Sequence, residues 1–133
     1  MLAITAAGTE TARLAAIGSL AGLAVLKGTM LAALYAQVPP YPPAEFAPLF
    51  GASLALSALA LALLCTRSVW FLAPAALVAL ESLLSLGPHK FIVGQSVAIY
   101  PAIAVGTALV VILAVASHRL VSARGMPEGV MRR

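Results

Sequence analysis

The sequence predicts an all-α membrane protein in which four helices cross the bilayer as a bundle. Hydrophobic residues make up 62% of the 133 positions and charged residues 9%, whereas a soluble domain has roughly 45–50% apolar and about 25% charged residues. Four apolar runs each approach the roughly 20 residues that span a bilayer core about 30 Å thick. They are too long for strands and lack a period-two alternation, so we expect helices.

The four predicted helices cover approximately residues 12–36, 46–65, 69–87 and 92–118, within one membrane domain over residues 1–133. The first run lacks a basic segment before it and continues past signal-peptide length, which predicts an uncleaved helix. It ends at a connection with five prolines between residues 39 and 48, which cannot continue a helix. Pro101 lies inside the fourth predicted helix, where we expect a kink.

Positive charges are distributed unevenly between the two sides of the predicted bundle. One side carries Arg13, Arg67, Arg119, Arg124, Arg132 and Arg133, and the other carries Lys90 beside Glu45 and His89. Basic residues accumulate on the cytoplasmic side of membrane proteins. We therefore expect a multi-pass protein of the cell membrane, the inner membrane in a bacterium, with both termini in the cytoplasm. Because these arginines flank apolar runs, they are interpreted as topology signals and not as a nucleic-acid surface.

Small residues at helical spacing predict where helices approach closely. Gly18 and Gly22 form a G-x-x-x-G pattern in the first helix, and Ala98, Ala102 and Gly106 form a similar stripe in the fourth. Such residues allow helix backbones to come together in lipid. Packing inside the monomer is favoured over a dimer contact, which stays open. The single cysteine, Cys65, is interpreted as a small apolar core residue.

Lys27 and Glu81 are the charged residues inside the apolar runs. Lys27 lies roughly 21 Å from the level of Arg13, and Glu81 roughly 17 Å from that of Trp70, at 1.5 Å per residue. Both therefore lie at similar depth in the outer half of the bilayer, and an ion pair between the first and third helices is allowed. An unpaired charge at this depth costs about 2.5–3.5 kcal/mol.

Two interpretations of these charges remain open. In the structural one, the pair fixes helix register, or Lys27 extends outward to the interface. In the functional one, the charges border a polar pocket that opens outward and holds an anionic head group, a quinone carbonyl or a transported ion. Its predicted lining is Ser82, Ser85, His89, Lys90, Gln95 and Tyr100. The lining residues do not indicate any particular cofactor.

Several kinds of catalytic and metal centre are not expected. His89 and His118 lie at opposite ends of the bundle, and Cys65 lies at the end opposite His89, so neither a bis-histidine haem nor a metal cluster is predicted. No serine motif of the G-x-S-x-G type occurs. Glu81 alone is a weak indication of acid–base catalysis, and no catalytic residue is assigned.

The pattern resembles the DoxX-like family of small four-helix membrane proteins. The resemblance rests on Arg13, Gly18, Gly22 and Lys27 in the first helix, on Thr66-Arg67 after the second, and on Gly87-Pro88-His89-Lys90-Phe91 after the third. Family members usually carry a glutamate early in the second helix and a glycine before the Thr-Arg turn. This chain has Gly51-Ala52-Ser53-Leu54 and Leu63-Leu64-Cys65 there, and its acid is Glu81. The resemblance implies a subunit or accessory of a membrane redox or thiol-stress system that contacts quinone.

Three functions follow as hypotheses. The first is a non-catalytic integral membrane protein that works in a complex. Its expected partners are the lipid bilayer and either another protein or a second copy of the chain. The second is a small homo-oligomeric transporter or channel that uses Lys27 and Glu81. The third is a lipid-modifying enzyme with Glu81 as acid or base.

Overall fold

The computed structural model describes residues 2–39, 41–86 and 97–124 as four helices joined by short connections. The helices are α1 (Leu2–Ala36), α2 (Ala47–Cys65), α3 (Leu72–Leu86) and α4 (Tyr100–Arg124), and short 3-10 turns at Ala44–Phe46, Val69–Phe71 and Val97–Ile99 lead into the last three. Taken with these turns, all four are long and apolar enough to cross a membrane. The described segments contain no strand, and the predicted all-α four-helix class is confirmed.

The four helices form a ring in which each packs against its two neighbours. α1 contacts α2 and α4, and α3 also contacts α2 and α4. α1 and α3 therefore lie on one diagonal of the ring, and α2 and α4 on the other. A side chain that links α1 to α3 must cross the centre of the bundle.

The helix bounds differ from the predicted ones at both ends of the chain. α1 begins at Leu2, before the predicted residue 12, and α4 extends to Arg124, beyond the predicted residue 118. The predicted kink at Pro101 is wrong, because α4 begins at Tyr100 and Pro101 occupies its first turn. In the first turn the missing proline N–H is not needed for a helical hydrogen bond.

Two non-glycine residues with positive φ end α1 and α2. Gln37 has φ 54° and Arg67 has φ 57°. After α2, the N–H of Arg67 donates to the carbonyl of Leu64 at 3.1 Å, and the N–H of Ser68 donates to Leu63 at 3.0 Å. This pair of bonds is a Schellman motif, which satisfies carbonyls left unpaired at a helix end.

The apolar core fills the half of the bundle that lies toward the arginines. Its buried residues come from all four helices and the turn before α3: Ala12, Ala16, Leu20, Leu23, Ala60, Leu64, Phe71, Ala75, Val78, Val110, Leu113, Ala116 and Leu120. The other half also has buried apolar side chains, such as Phe50 and Ile103, but it contains the buried charge of Lys27 together with the buried serines Ser53, Ser82 and Ser85. The bundle is therefore asymmetric along its length, because the buried charge lies in one half.

Close packing occurs at only some of the small residues singled out in the sequence. A Cβ at Gly22 would lie 2.9 Å from Leu109 Cδ1, and one at Gly106 would lie 3.2 Å from Leu86 Cδ1. Gly18 differs from the expectation of intramolecular packing, because it is exposed and a Cβ there would meet no atom within 4 Å. The interpretation of Cys65 as a core residue is wrong, because it lies exposed at the end of α2.

Candidate functional site

Lys27 and Glu81 form an ion pair across the centre of the bundle. Lys27 Nζ contacts Glu81 Oε2, and the side chains are 1% and 12% exposed. α1 and α3 are diagonal in the ring, and the four-carbon stem of the lysine makes this reach possible. A charged pair so buried is stabilised only if its remaining polar atoms also find partners.

The second helix supplies two further contacts to this ion pair. Ser53 Oγ donates a hydrogen bond to Glu81 Oε2 at 2.9 Å. The ring of Phe50 lies 5.6 Å from Lys27 Nζ, measured to its centroid, a distance at which a cation is attracted to an aromatic face. Three helices therefore converge on one carboxylate oxygen and one ammonium group.

Several polar atoms beside the pair lack hydrogen-bond partners within the described part of the chain. They are Glu81 Oε1, Ser82 Oγ and Ser85 Oγ, and Lys27 Nζ has only the ion pair. A buried polar group without a partner costs about 1–3 kcal/mol. Three unsatisfied oxygen atoms on one helix therefore mark a place where an additional polar group would be stabilised.

A cavity of about 360 Å³ lies next to this site, at the end of the bundle away from the arginines. Phe50, Ser85 and Ile103 line it, together with residues of the proline-rich connection such as Tyr41 and Pro43. Its volume falls within the roughly 300–1,000 Å³ range of small-molecule sites, which are mostly apolar with a few polar groups. Ser85 contributes such a group, because its hydroxyl lacks a partner among the described residues.

Small side chains on α4 and on the 3-10 turn before it leave room for this cavity. Ala98 and Ala102 both line it, whereas Gly106, one turn further on, packs tightly against Leu86. The predicted small-residue stripe therefore has two roles, a cavity wall at one end and helix packing at the other. The carbonyl of Leu86 accepts a hydrogen bond from Thr107 Oγ1 at 3.5 Å.

The predicted pocket residues have different placements. Ser82 is buried near the ion pair, and Ser85 lies at the cavity wall. Tyr100 is half-buried and is not part of the cavity lining. The predictions for His89, Lys90 and Gln95 fall outside the described residues.

Sequence reasoning did not identify Ser53 and Phe50 as site residues. Ser53 and Ser57 are one helical turn apart on the buried face of α2, and Ser57 Oγ donates to the carbonyl of Ser53 at 2.8 Å. Two serines at this spacing inside an apolar span were a signal for a polar face. The chain alone did not reveal that this face meets Glu81, because that depends on helix order around the ring.

No family model matches the chain, and neither the curated proteins nor the solved structures gave a match. The resemblance to the DoxX-like family therefore stays a prediction. Over the residues that the structure describes, no group of three or more His, Cys, Asp or Glu side chains is placed to hold a metal ion. The described geometry is that of a membrane bundle with a buried ion pair and an adjoining cavity.

Proposed function

We propose that this chain is a small integral membrane protein that binds an apolar, carbonyl-bearing ligand of the quinone type in the cavity beside Phe50. It serves there as a non-catalytic subunit or accessory of a membrane redox complex. The observation that carries the proposal is the combination of an apolar cavity with the hydroxyl of Ser85, which has no hydrogen-bond partner among the described residues. A ligand carbonyl would accept a hydrogen bond from that hydroxyl, while the ligand ring would contact Phe50.

Two pairs of matched variants test the ligand site. Ala102→Leu fills the cavity, whereas Ala104→Leu adds the same group to the exposed face of α4. Ser85→Ala removes the hydroxyl at the cavity wall, whereas Ser57→Ala removes one that bonds within its own helix. The measurement, called retention below, is the amount of decylubiquinone that nanodiscs containing the protein hold after gel filtration in excess of protein-free nanodiscs of the same lipid.

We expect Ala102→Leu to abolish retention and Ser85→Ala to weaken binding by about fivefold, as the loss of one hydrogen bond predicts. The two controls should bind as the parent does. Equal binding by Ala102→Leu and Ala104→Leu would contradict the ligand site.

The accessory role and the orientation are part of the same proposal. The accumulation of arginines at one end supports a cell-membrane protein with both termini in the cytoplasm. Purification in a mild detergent should bring partner proteins with the chain. A solitary monomer with robust turnover of its own would contradict the accessory role.

A transporter is the second candidate function, favoured by the ion pair that links α1 to α3 through the centre of the bundle. An ionisable pair inside a membrane span is often part of an ion path. Ion flux into liposomes, measured for the parent and for Lys27→Leu and Glu81→Leu, separates this candidate from the first. Flux that is absent in the parent, or unchanged in the variants, excludes it.

A further inference from the structure

A second cavity lies at the opposite end of the bundle, among the arginines. It has a volume of about 510 Å³ and is bordered by Arg13, Arg67 and Arg124, with Phe71 and Leu120 among its apolar walls. One acidic residue, Glu10, also borders it. Positive charge therefore exceeds negative charge around this cavity.

Two of the three guanidinium groups help to hold the helix ends together. Arg13 Nε donates to the carbonyl of Leu64 at 3.2 Å, and Arg13 Nη2 donates to that of Cys65 at 3.1 Å. Arg13 Nη1 also lies 3.6 Å from Glu10 Oε1. The carboxylate at the cavity is therefore already engaged by Arg13, which leaves the other two arginines for a ligand.

Within the described part of the chain, Arg67 and Arg124 retain unused donors. Arg124 Nη2 donates to the carbonyl of Arg67 at 2.6 Å, and a guanidinium group has five N–H donors in all. The side chain of Arg67 makes no hydrogen bond or ion pair to any residue that the structure describes. Two guanidinium groups whose donors are not all used by the described residues border the same cavity, and such groups bind phosphate oxygens in bidentate fashion.

From this geometry we propose that the arginine cavity binds a phosphate group, carried by an anionic lipid or present as a free anion. Basic pockets between membrane helices on the cytoplasmic side bind anionic head groups. The phosphate would lie between Arg67 and Arg124, with Ser68, another lining residue, as a neutral donor. This site is separate from the cavity beside Phe50 and does not depend on its ligand.

The single tryptophan provides the readout. Trp70 is 74% exposed and lies one residue before Phe71 at the cavity wall. Its fluorescence is quenched by brominated lipids that come close. The experiment compares brominated phosphatidylglycerol with brominated phosphatidylcholine, each at low mole fraction in phosphatidylcholine nanodiscs, and then adds inorganic phosphate.

Two variants distinguish specific binding in the arginine cavity from attraction of anions by the net positive charge of this end of the bundle. Arg67→Gly removes the guanidinium and places glycine at a positive φ, which it adopts without strain, so the fold should be kept. Arg119→Gln removes one charge from an exposed position on α4 that does not border the cavity. Both variants lower the net charge equally.

We expect brominated phosphatidylglycerol to quench the parent protein more strongly than brominated phosphatidylcholine. Arg67→Gly should need about fivefold more anionic lipid for the same quenching, and Arg119→Gln should behave as the parent. Relief of quenching by inorganic phosphate would identify a free anion as an alternative occupant, and its absence would identify the lipid. The proposal is wrong if brominated phosphatidylglycerol quenches Trp70 no more than brominated phosphatidylcholine does and phosphate does not change the quenching. It is also wrong if both variants lose quenching equally.

Discussion

Lys27 and Glu81 are paired across a diagonal of the bundle, between two helices that are not neighbours in the ring. The pair therefore joins α1 to α3, which are not among the helix pairs that pack closely in the ring. Ser53 of α2 donates to the same carboxylate oxygen, so three of the four helices are linked at one point.

Removal of one member of this pair should destabilise the bundle more than removal of both. Lys27→Met leaves a buried carboxylate without its counter-charge, and breaking a buried ion pair in this way costs about 3–5 kcal/mol. The double variant Lys27→Met with Glu81→Gln should recover much of that loss. The free energy of unfolding in mixed detergent micelles checks this, and strictly additive effects would contradict the pairing.

The hydrogen bond from Ser53 should contribute measurably to stability. Ser53→Ala removes a donor to an ionised group, which is worth about 1.5–3 kcal/mol. Ser57 is an equally buried control, but its hydroxyl bonds to a carbonyl of its own helix, so Ser57→Ala should cost less. Equal unfolding free energies for the two variants would show that Ser53 is not a partner of Glu81.

Gly18 and Gly22 should respond differently to the same substitution. A side chain at Gly22 meets Leu109 of α4, whereas one at Gly18 meets open space. Gly22→Leu should lower the unfolding free energy by about 1–3 kcal/mol, as overpacking does, and Gly18→Leu should not lower it. A Gly18→Leu variant that changes the oligomeric state would instead place this residue in a contact between copies.

Replacement of Arg13 by lysine should lower the stability of the protein. Its guanidinium donates to two carbonyls at the end of α2, Leu64 and Cys65, and an ammonium group lacks the planar geometry for both bonds. Arg13→Lys should destabilise the protein by about 1 kcal/mol, the typical worth of one such bond. Arg119→Lys, at an exposed position, is the control and should leave the midpoint of thermal unfolding unchanged.

The thiol of Cys65 provides a test of orientation. It is exposed at the arginine end of α2, and a membrane-impermeant maleimide should label it only from the cytoplasmic side. A Cys65→Ser, Tyr41→Cys variant moves the thiol to the proline-rich connection and should reverse the labelled side. Labelling of both positions from one side of intact membrane vesicles would contradict the four-span topology.

The number of helices and the common depth of the two charges could be predicted because both depend on simple lengths. The lengths of the apolar runs predicted four membrane-spanning helices, and the helical rise per residue predicted that Lys27 and Glu81 lie at the same depth. Helix ends were less predictable, since Pro101 fits the first turn of α4 as well as it fits a kink. The contact with Ser53 could not be foreseen, because helix order around a ring is a property of tertiary packing.

α1 is longer than a helix needs to be to cross the hydrocarbon layer. Its 35 residues extend roughly 52 Å, whereas the hydrocarbon layer is about 30 Å thick. Arg13 is hydrogen-bonded to the last carbonyls of α2, so the helical backbone before it continues roughly 16 Å past that helix end. Thr9 and Glu10 of this extension border the arginine cavity beside Arg124 of α4. One unbroken helix therefore contributes both a wall of that cavity and the lysine of the buried ion pair at the other end of the bundle.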